Sequence, residues 1–465
     1  MRKLVLGAVL ALALCVATNA PAQPAAGWSM YHNGVQGMGY TLTPSTLSGA
    51  GIATPLWVVN APGGVWGSPI EDLLNGAVVV GTNAAPELYV LNQFTGAHMF
   101  GSPIPLTSGW TDGTGVIDTW SMNYVIAAQN APGSMDAFQT WAGYVPAWTD
   151  VQSGGLSTKL TTWDETIYSV ASPPGAPGIY TWNAAVGNSP PVLHTLLPAG
   201  QTVDVWHGFL SMDAQGQFLY YKDAGVAGVN ETSQLHCINR AAGGIVWSTA
   251  PHGDGWGNTP TLVDTAGDIY AGFQDVDFDP NGIPNDGDEY VASTLEKYNP
   301  GGGLVWQMQF NGGGAWWHGG VAMSPDEQVI YALGRGGNPG AGAMGGLTAV
   351  DANTGAILWT VYTQTPLALP GEIGDCFGAP AVDGDGNIFG VDHNGTFFGV
   401  TPAGTVMFGV DGAHTSSWAS PAILSDGTII TTGDEGNIVA WTVPEPSIFL
   451  LAGLGLLALL RRRKK

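Results

Sequence analysis

Oxygen-bearing side chains alternate along Asp277-Phe278-Asp279-Pro280-Asn281-Gly282-Ile283-Pro284-Asn285-Asp286-Gly287-Asp288-Glu289. Asp277, Asp279 and Asn281 take the first, third and fifth places of a cation loop. Gly282 takes the sixth, Asn285 the ninth and Asp288 the twelfth. Hard Ca²⁺ needs six to eight oxygens, and this spacing wraps them around one point. Asp288 stands where a longer Glu is usual, so bidentate closure has less reach. The competing reading is an acidic, solvated hairpin loop. Calcium is the one metal this loop suggests. Asp383-Gly384-Asp385-Gly386-Asn387 is shorter and reads as a turn.

A second constellation is aromatic. Trp-His-Gly occurs at Trp206-His207-Gly208 and again at Trp317-His318-Gly319. With Trp256 and Trp418 these positions could form a ring of aromatic faces. Aromatic rings stack on the apolar faces of sugars, while His supplies hydrogen bonds. The alternative role for the same residues is packing between repeats. No Gly-x-Ser-x-Gly elbow is present, and the nine His residues lack metal-ligand spacing. No catalytic residue is assigned, and a non-enzymatic role is expected.

What positions these residues is a repeat. Leu347-Thr348-Ala349-Val350-Asp351-Ala352-Asn353-Thr354-Gly355-Ala356-Ile357-Leu358-Trp359 reads as strand, tight turn, strand. Glycine permits the turn's positive φ, and alternating apolar residues line one face of each strand. Residues 88–100, 235–247, 295–306 and 397–408 repeat the phrase, closing on Phe100, Trp247, Trp306 and Phe408. An aromatic, small residue and proline introduce several units, as in Trp66-Gly67-Ser68-Pro69 and Trp418-Ala419-Ser420-Pro421. Trp66, Trp110, Trp163, Trp206, Trp256, Trp317, Phe377 and Trp418 mark units of four short strands, the period of a propeller blade. The fold class is therefore all-β: a single propeller, with eight blades favoured over seven. The last unit has only three strands before the tail. Pro55-Leu56-Trp57-Val58-Val59 has the sequence of a fourth, so an N-terminal strand is expected to close the ring.

The pattern Ala349-x-Asp351-x-x-Thr354-Gly355-x-x-x-Trp359 resembles the tryptophan-docking motif of PQQ-like, quinoprotein-type propellers. Trp28-Ser29-Met30-Tyr31-His32-Asn33 and Leu56-Trp57 resemble that superfamily's entry segment. The resemblance implies that Trp247, Trp306 and Trp359, with Phe100 and Phe408, pack between blades. It also raises a quinone-dependent dehydrogenase as an alternative function. Several such enzymes carry an adjacent cysteine pair under the cofactor, and this chain has none. PQQ is therefore not expected. Cys237 and Cys376 remain outside the leader, as a bridge or as two thiols.

The ends set the address. Arg2 and Lys3, the apolar run Leu4 to Val16, and Ala20-Pro21-Ala22 read as a secretory signal peptide over residues 1–22. Leu14 precedes Cys15 where a lipoprotein signal wants a small residue. At the other end Val443-Pro444-Glu445-Pro446 leads into an apolar run to Leu460 and then Arg461-Arg462-Arg463-Lys464-Lys465. The run would span about 21 Å as a short hydrophobic helix, against a bilayer core of about 30 Å. The basic end should stay cytoplasmic.

Tripeptide, short helix and basic end together resemble the PEP-CTERM sorting signal of Gram-negative bacteria, over residues 444–465. The resemblance implies an exosortase, a membrane cysteine protease, as partner, and processing near Pro444, Glu445 and Pro446. It implies transient anchoring in the membrane, then the cell surface or extracellular matrix. A plain tail anchor is the alternative.

Between the ends, residues 23–443 form the propeller. Seven of the 12 Lys and Arg residues sit in the leader and tail, with only one of the 36 acidic residues. Five basic residues then face 35 acidic ones, a net charge of about −30. That charge repels nucleic acid and anionic lipid heads, so neither is an expected partner. A hydrophobic content of 45% and 18 Trp argue for a packed body rather than a disordered one. The expected role is binding or scaffolding of polysaccharide or protein at the envelope. An envelope protein-assembly factor, resembling the propeller of outer-membrane barrel insertion, is the other non-enzymatic reading.

Overall fold

The structure, a computed structural model, describes residues 33–442 apart from 34–35, 48–51, 84–85, 108–114, 118–123, 130–132, 152–154, 158, 174–175, 187–190, 204–207, 227–231, 253–260, 279–289, 310–319, 335–345, 363–377, 393–394 and 416. Eight antiparallel sheets follow one another around a ring. Blades one to seven span residues 70–105, 116–151, 155–196, 210–248, 262–309, 321–362 and 381–410. Blade three has a split inner strand, because Gly155–Leu156 and Thr161–Trp163 both pair with Thr166–Ser172. Trp163 therefore lies inside a strand rather than introducing the blade. Blade eight combines residues 422–442 with Thr54–Asn60, which pairs antiparallel with Asn437–Thr442. The N-terminal strand thus closes the ring. Blade count, four-stranded blades and closure agree with the sequence reading. The leader, the sorting tail and its hydrophobic helix lie outside the described residues. Among the described residues no helix is long and apolar enough to cross a membrane.

The core lies between blades, not within them. Val79, Leu88 and Val90 of blade one pack with Ile117, Val125 and Phe138 of blade two. Tyr331, Leu347 and Ala349 of blade six pack with Ile388, Phe398 and Val400 of blade seven. Each sheet buries its faces against two neighbours, and this is why the alternation of apolar residues repeats from blade to blade.

The turn in each repeat is a docking platform. Asp351 accepts backbone N–H groups from Asn353 (3.0 Å) and Thr354 (2.8 Å), and the Thr354 hydroxyl at 2.9 Å. This holds Gly355 at φ +73° beneath the ring of Trp306 from the preceding blade. A Cβ at Gly355 would come within 2.8 Å of that ring. The Trp306 indole N–H donates to the Ala352 carbonyl at 3.1 Å. Trp247 docks likewise on Gly302 and the Pro300 carbonyl, and Trp359 on Gly404 and the Pro402 carbonyl. Trp57 docks on Gly96 and the Gln93 carbonyl at 2.9 Å, linking blade eight to blade one. Trp148 donates to the Ala184 carbonyl of blade three at 2.9 Å.

Three junctions depart from this pattern. Phe100 rests on Gly143 and stacks on Tyr144 at 5.4 Å. At blade three the docking residue is His194, whose Nε2 donates to the Arg240 carbonyl at 2.7 Å. Phe408 packs inward against Phe389 and Phe397, beside Trp441 of blade eight. Blade eight has no hairpin joining its third and fourth strands, so no turn carbonyl awaits an indole N–H there. A phenyl ring loses nothing at that junction.

Candidate binding face

An inner strand enters at one end of the ring and leaves at the other. At the leaving end, residues 36–47 run as a strap across four blades. Val263 donates its N–H to the Gln36 carbonyl, and Met323 to the Met38 carbonyl. Tyr40 bridges Val382, Gly384 donates to Thr43, and Thr46 donates to the Gly427 carbonyl. Asp383, fully buried, receives the Ser45 N–H at 3.1 Å and the Ser45 hydroxyl at 2.6 Å. The same carboxylate accepts the Asp385 and Asn387 N–H groups, so residues 383–387 form the turn their sequence suggests.

The entering end is built from the aromatic, small residue, proline phrases. Ser420 donates its N–H to the Ser68 Oγ, and Ala379 donates its N–H to the Ser420 Oγ, both at 2.8 Å. These bonds stitch blades seven, eight and one side by side. Ser68 and Ser420 are buried. Above them the half-buried Trp66 and Trp418 pair at 6.1 Å with planes 34° apart. Entry segments do therefore gather at one end of the ring. Trp418 is in the gathered set, and Trp66 joins it although the sequence reading did not single it out as a ligand residue. Its place in the same phrase as Trp418 was the available signal. Trp206, His207, Trp256, Trp317 and His318 lie outside the described residues. Their neighbours Gly208 and Gly320 reach this end. The Gly208 carbonyl accepts the Ser157 hydroxyl at 2.7 Å, and a Cβ at Gly320 would strike Ala379 of the next blade.

The strands that flank the acidic segment belong to blade five. Ile269–Phe278 and Tyr290–Tyr298 pair from Ile269 opposite Tyr298 to Phe278 opposite Tyr290. Residues 279–289, which join these two strands, lie outside the described residues. Asp277 lies on the first of these strands. Its side chain, with Asp279, Asn281, Asn285 and Asp288, lies outside the described residues. Among the described residues no group of three His, Cys, Asp or Glu side chains is placed to hold a metal ion. Cys237 is buried and free, and burial pushes its thiol up to about 12, too high for redox attack. Cys376 lies outside the described residues.

Two histidine–carboxylate contacts flank the face. His252 meets Glu296 at 2.9 Å, and Glu296 also accepts Gln307 Nε2 at 3.0 Å and the Tyr298 hydroxyl. In blade eight His414 bridges Glu435 and the Thr431 hydroxyl, both at 2.8 Å, and Thr431 receives the Trp441 indole at 2.7 Å. Burial alone pushes the Glu435 carboxyl up. The His414 hydrogen bond and the Thr415 N–H outweigh it and hold the group at about 2, below its ordinary 4.5. A depressed folded value gives stability that is full above 4.5 and is lost as pH falls toward 2. Glu435→Gln should therefore lower the urea midpoint at pH 7, with the difference closing between pH 4.5 and 2. A gap that persists unchanged at pH 2 would contradict this network.

Residues 442–464 match the PEP-CTERM protein-sorting motif. No curated protein matches the chain. Among solved structures, quinohemoprotein alcohol dehydrogenase ADHIIG from Pseudomonas putida HK5 is similar at TM-score 0.64 and 12% identity, covering 92% of this chain and 81% of that one. The Comamonas testosteroni quinohemoprotein alcohol dehydrogenase gives 0.60 and 12%, covering 92% and 82%. A europium-containing methanol dehydrogenase gives 0.58 and 11%, covering 89% and 90%. At such identity the likeness is one of fold. The chain is thus an eight-bladed propeller, similar in fold to those dehydrogenases, and bears a PEP-CTERM motif, which implies recognition by an exosortase.

Proposed function

We propose that this protein is a non-enzymatic binding or scaffold module for polysaccharide or protein. It is exported, sorted through its C-terminal motif, and held at the envelope or extracellular matrix of a Gram-negative cell. The observation that carries this reading is the Trp66–Trp418 pair, half-exposed at one end of a closed propeller that bears a sorting motif. Two tilted rings over a hydrogen-bonded seam offer an apolar platform of the kind sugars stack on. The body's negative charge disfavours anionic lipid and nucleic acid.

A dehydrogenase reading draws on the fold of the solved neighbours. The quinone PQQ is a tricarboxylate and calls for cations at the channel mouth. Lys222 is bound to the Gly272 carbonyl, Arg240 to the Gly216 carbonyl, and Lys297 to Asp268. The hydroxyls of Ser68 and Ser420 are engaged in the seam. These side chains are already engaged, and no step is derived through that cofactor.

Intact mass of the protein from membrane and culture fluid tests the address. A mass ending near Pro444–Pro446 supports sorting and release. A mass retaining Arg461 to Lys465 favours a tail-anchored envelope protein and the assembly-factor role.

A further inference from the structure

We propose that Ser248 is an activated serine nucleophile, with His236 as its base and Asp223 orienting the imidazole. The proposal is independent of the sugar-binding reading and, where it holds, replaces the non-enzymatic part of the proposed function. Ser248 Oγ lies 2.8 Å from His236 Nδ1, and His236 Nε2 lies 2.8 Å from Asp223 Oδ2. The His236 and Asp223 side chains are completely buried, while Ser248 is exposed.

Three strands of blade four bring the residues together. His236 is on Leu235–Asn239, Ser248 ends Ile245–Ser248, and Asp223 follows Phe218–Lys222. Sequence separations of 12 and 13 carry no linear motif, so no pattern search would have found them.

The hydrogen bonds fix the tautomer. Asp223 Oδ1 accepts the N–H groups of Gln234 (2.8 Å) and Gly225 (3.0 Å). A carboxylate so engaged is an acceptor, so Nε2 carries the proton that it shares with Oδ2. Nδ1 is then the free base and accepts the Ser248 hydroxyl proton. The two ring nitrogens exchange the roles they have in the usual Ser-His-Asp arrangement, where Nε2 is the base, but here too a carboxylate-held imidazole leaves its other nitrogen free for the hydroxyl proton.

The same two positions beside the docking residue hold Glu296 and Gln307 in blade five, and Thr348 and Thr360 in blade six. Those pairs hydrogen-bond across the strands without an imidazole between a carboxylate and a hydroxyl. Only blade four, among these, places all three chemical types in line.

The backbone supplies an oxyanion donor. Thr249 donates its N–H to the Leu235 carbonyl, so His236 and Ser248 form the wide, non-bonded pair of the ladder. In such a pair the side chains approach and the Ser248 N–H points to the outer edge, beside its own Oγ. The exposed Val246 flanks the site on that edge. An open edge with one aliphatic neighbour suits an ester of a short carboxylic acid. Ser248 Oγ attacks the ester carbon as His236 Nδ1 takes the hydroxyl proton. The C–O bond to the alcohol breaks, the alcohol leaves with that proton, and the acyl group stays on Oγ. Water, giving a proton to His236 Nδ1, then attacks the acyl carbon; the acyl–Oγ bond breaks, Oγ takes back that proton, and the carboxylic acid departs.

The test is covalent labelling of the full protein with a fluorophosphonate probe, read by intact mass and peptide mapping. One adduct on Ser248 is expected, absent from Ser248→Ala. His236→Asn should slow its formation about 100-fold or more. Ser248→Ala removes one hydrogen bond from the buried His236 ring and lowers the urea midpoint only modestly; an unchanged circular dichroism spectrum shows it folded and makes it the control. Release of p-nitrophenol from p-nitrophenyl acetate should fall in parallel. No adduct on the wild-type protein, labelling spread equally over other exposed serines, or an equal rate in a folded His236→Asn variant would each overturn the proposal.

Discussion

Trp57→Ala is expected to lower the unfolding free energy by roughly 3–5 kcal/mol. Trp57 is only 8% exposed although it lies on the outermost strand of blade eight. Its ring covers Gly96 of blade one, and its indole N–H reaches the Gln93 carbonyl. The strand that carries it is the fourth strand of blade eight, brought from the other end of the chain. Losing the ring therefore opens a cavity at the junction where blade eight, completed by the N-terminal strand, meets blade one. Trp57→Phe keeps most of the apolar area and drops the hydrogen bond, for about 1 kcal/mol from that bond. Val58 sits beside it with 48% exposure, and Val58→Ala should change stability by no more than about 0.5 kcal/mol. Urea unfolding of the three variants gives the comparison. If Trp57→Ala proved as mild as Val58→Ala, closure would not depend on this docking.

Asp383→Ala should cost roughly 3–5 kcal/mol, since hydrogen bonds to a charged group are worth about 1.5–3 kcal/mol each and are not additive. The Asp383 carboxylate is fully buried and holds both the strap, through Ser45, and its own turn, through Asp385 and Asn387. Asn387 Nδ2 adds a contact at 3.1 Å. Removal leaves those donors without an acceptor in a dry site. The strap should then detach locally, and limited proteolysis should cut between residues 36 and 47 before the blades unfold. Asp383→Asn keeps an oxygen toward Ser45 and should lie between the wild type and Asp383→Ala. Simultaneous cleavage of strap and blades would show that the strap is not a separate unit of stability.

The repeat was readable because its physics is local. An Asp or Asn, a Gly and a Trp at fixed offsets specify turn, positive φ and docking ring within one hairpin. The fourth strand of blade eight was readable because Pro55 to Val59 carries the same alternation as the other outer strands. Where the repeat degenerates, local reading failed. His194 does a tryptophan's work at blade three by offering a ring N–H to the Arg240 carbonyl, and nothing in its sequence neighbourhood marks it. Trp163 looked like an entry residue but lies within a split inner strand. The strap was not legible either. Its contacts with Val263, Met323, Val382 and Gly427 join residues more than two hundred positions apart, and they use backbone groups that any sequence supplies. Of the aromatic face, Trp418 was named and its partner Trp66 was not, since their pairing joins residues about 350 positions apart and depends on how the last blade seats against the first.

The most direct measurement is binding of the secreted protein to the exopolysaccharide of its own cells, followed by affinity electrophoresis. Wild type, Trp418→Ala and a Trp66→Ala/Trp418→Ala variant would be compared. Saturable retardation that weakens about tenfold or more with the paired rings removed, at unchanged urea midpoint, is the predicted result; tenfold corresponds to about 1.4 kcal/mol. Retardation identical in all three, or none at all, together with dye reduction by the PQQ- and Ca²⁺-treated protein on an alcohol, would contradict the account and install the dehydrogenase reading in its place.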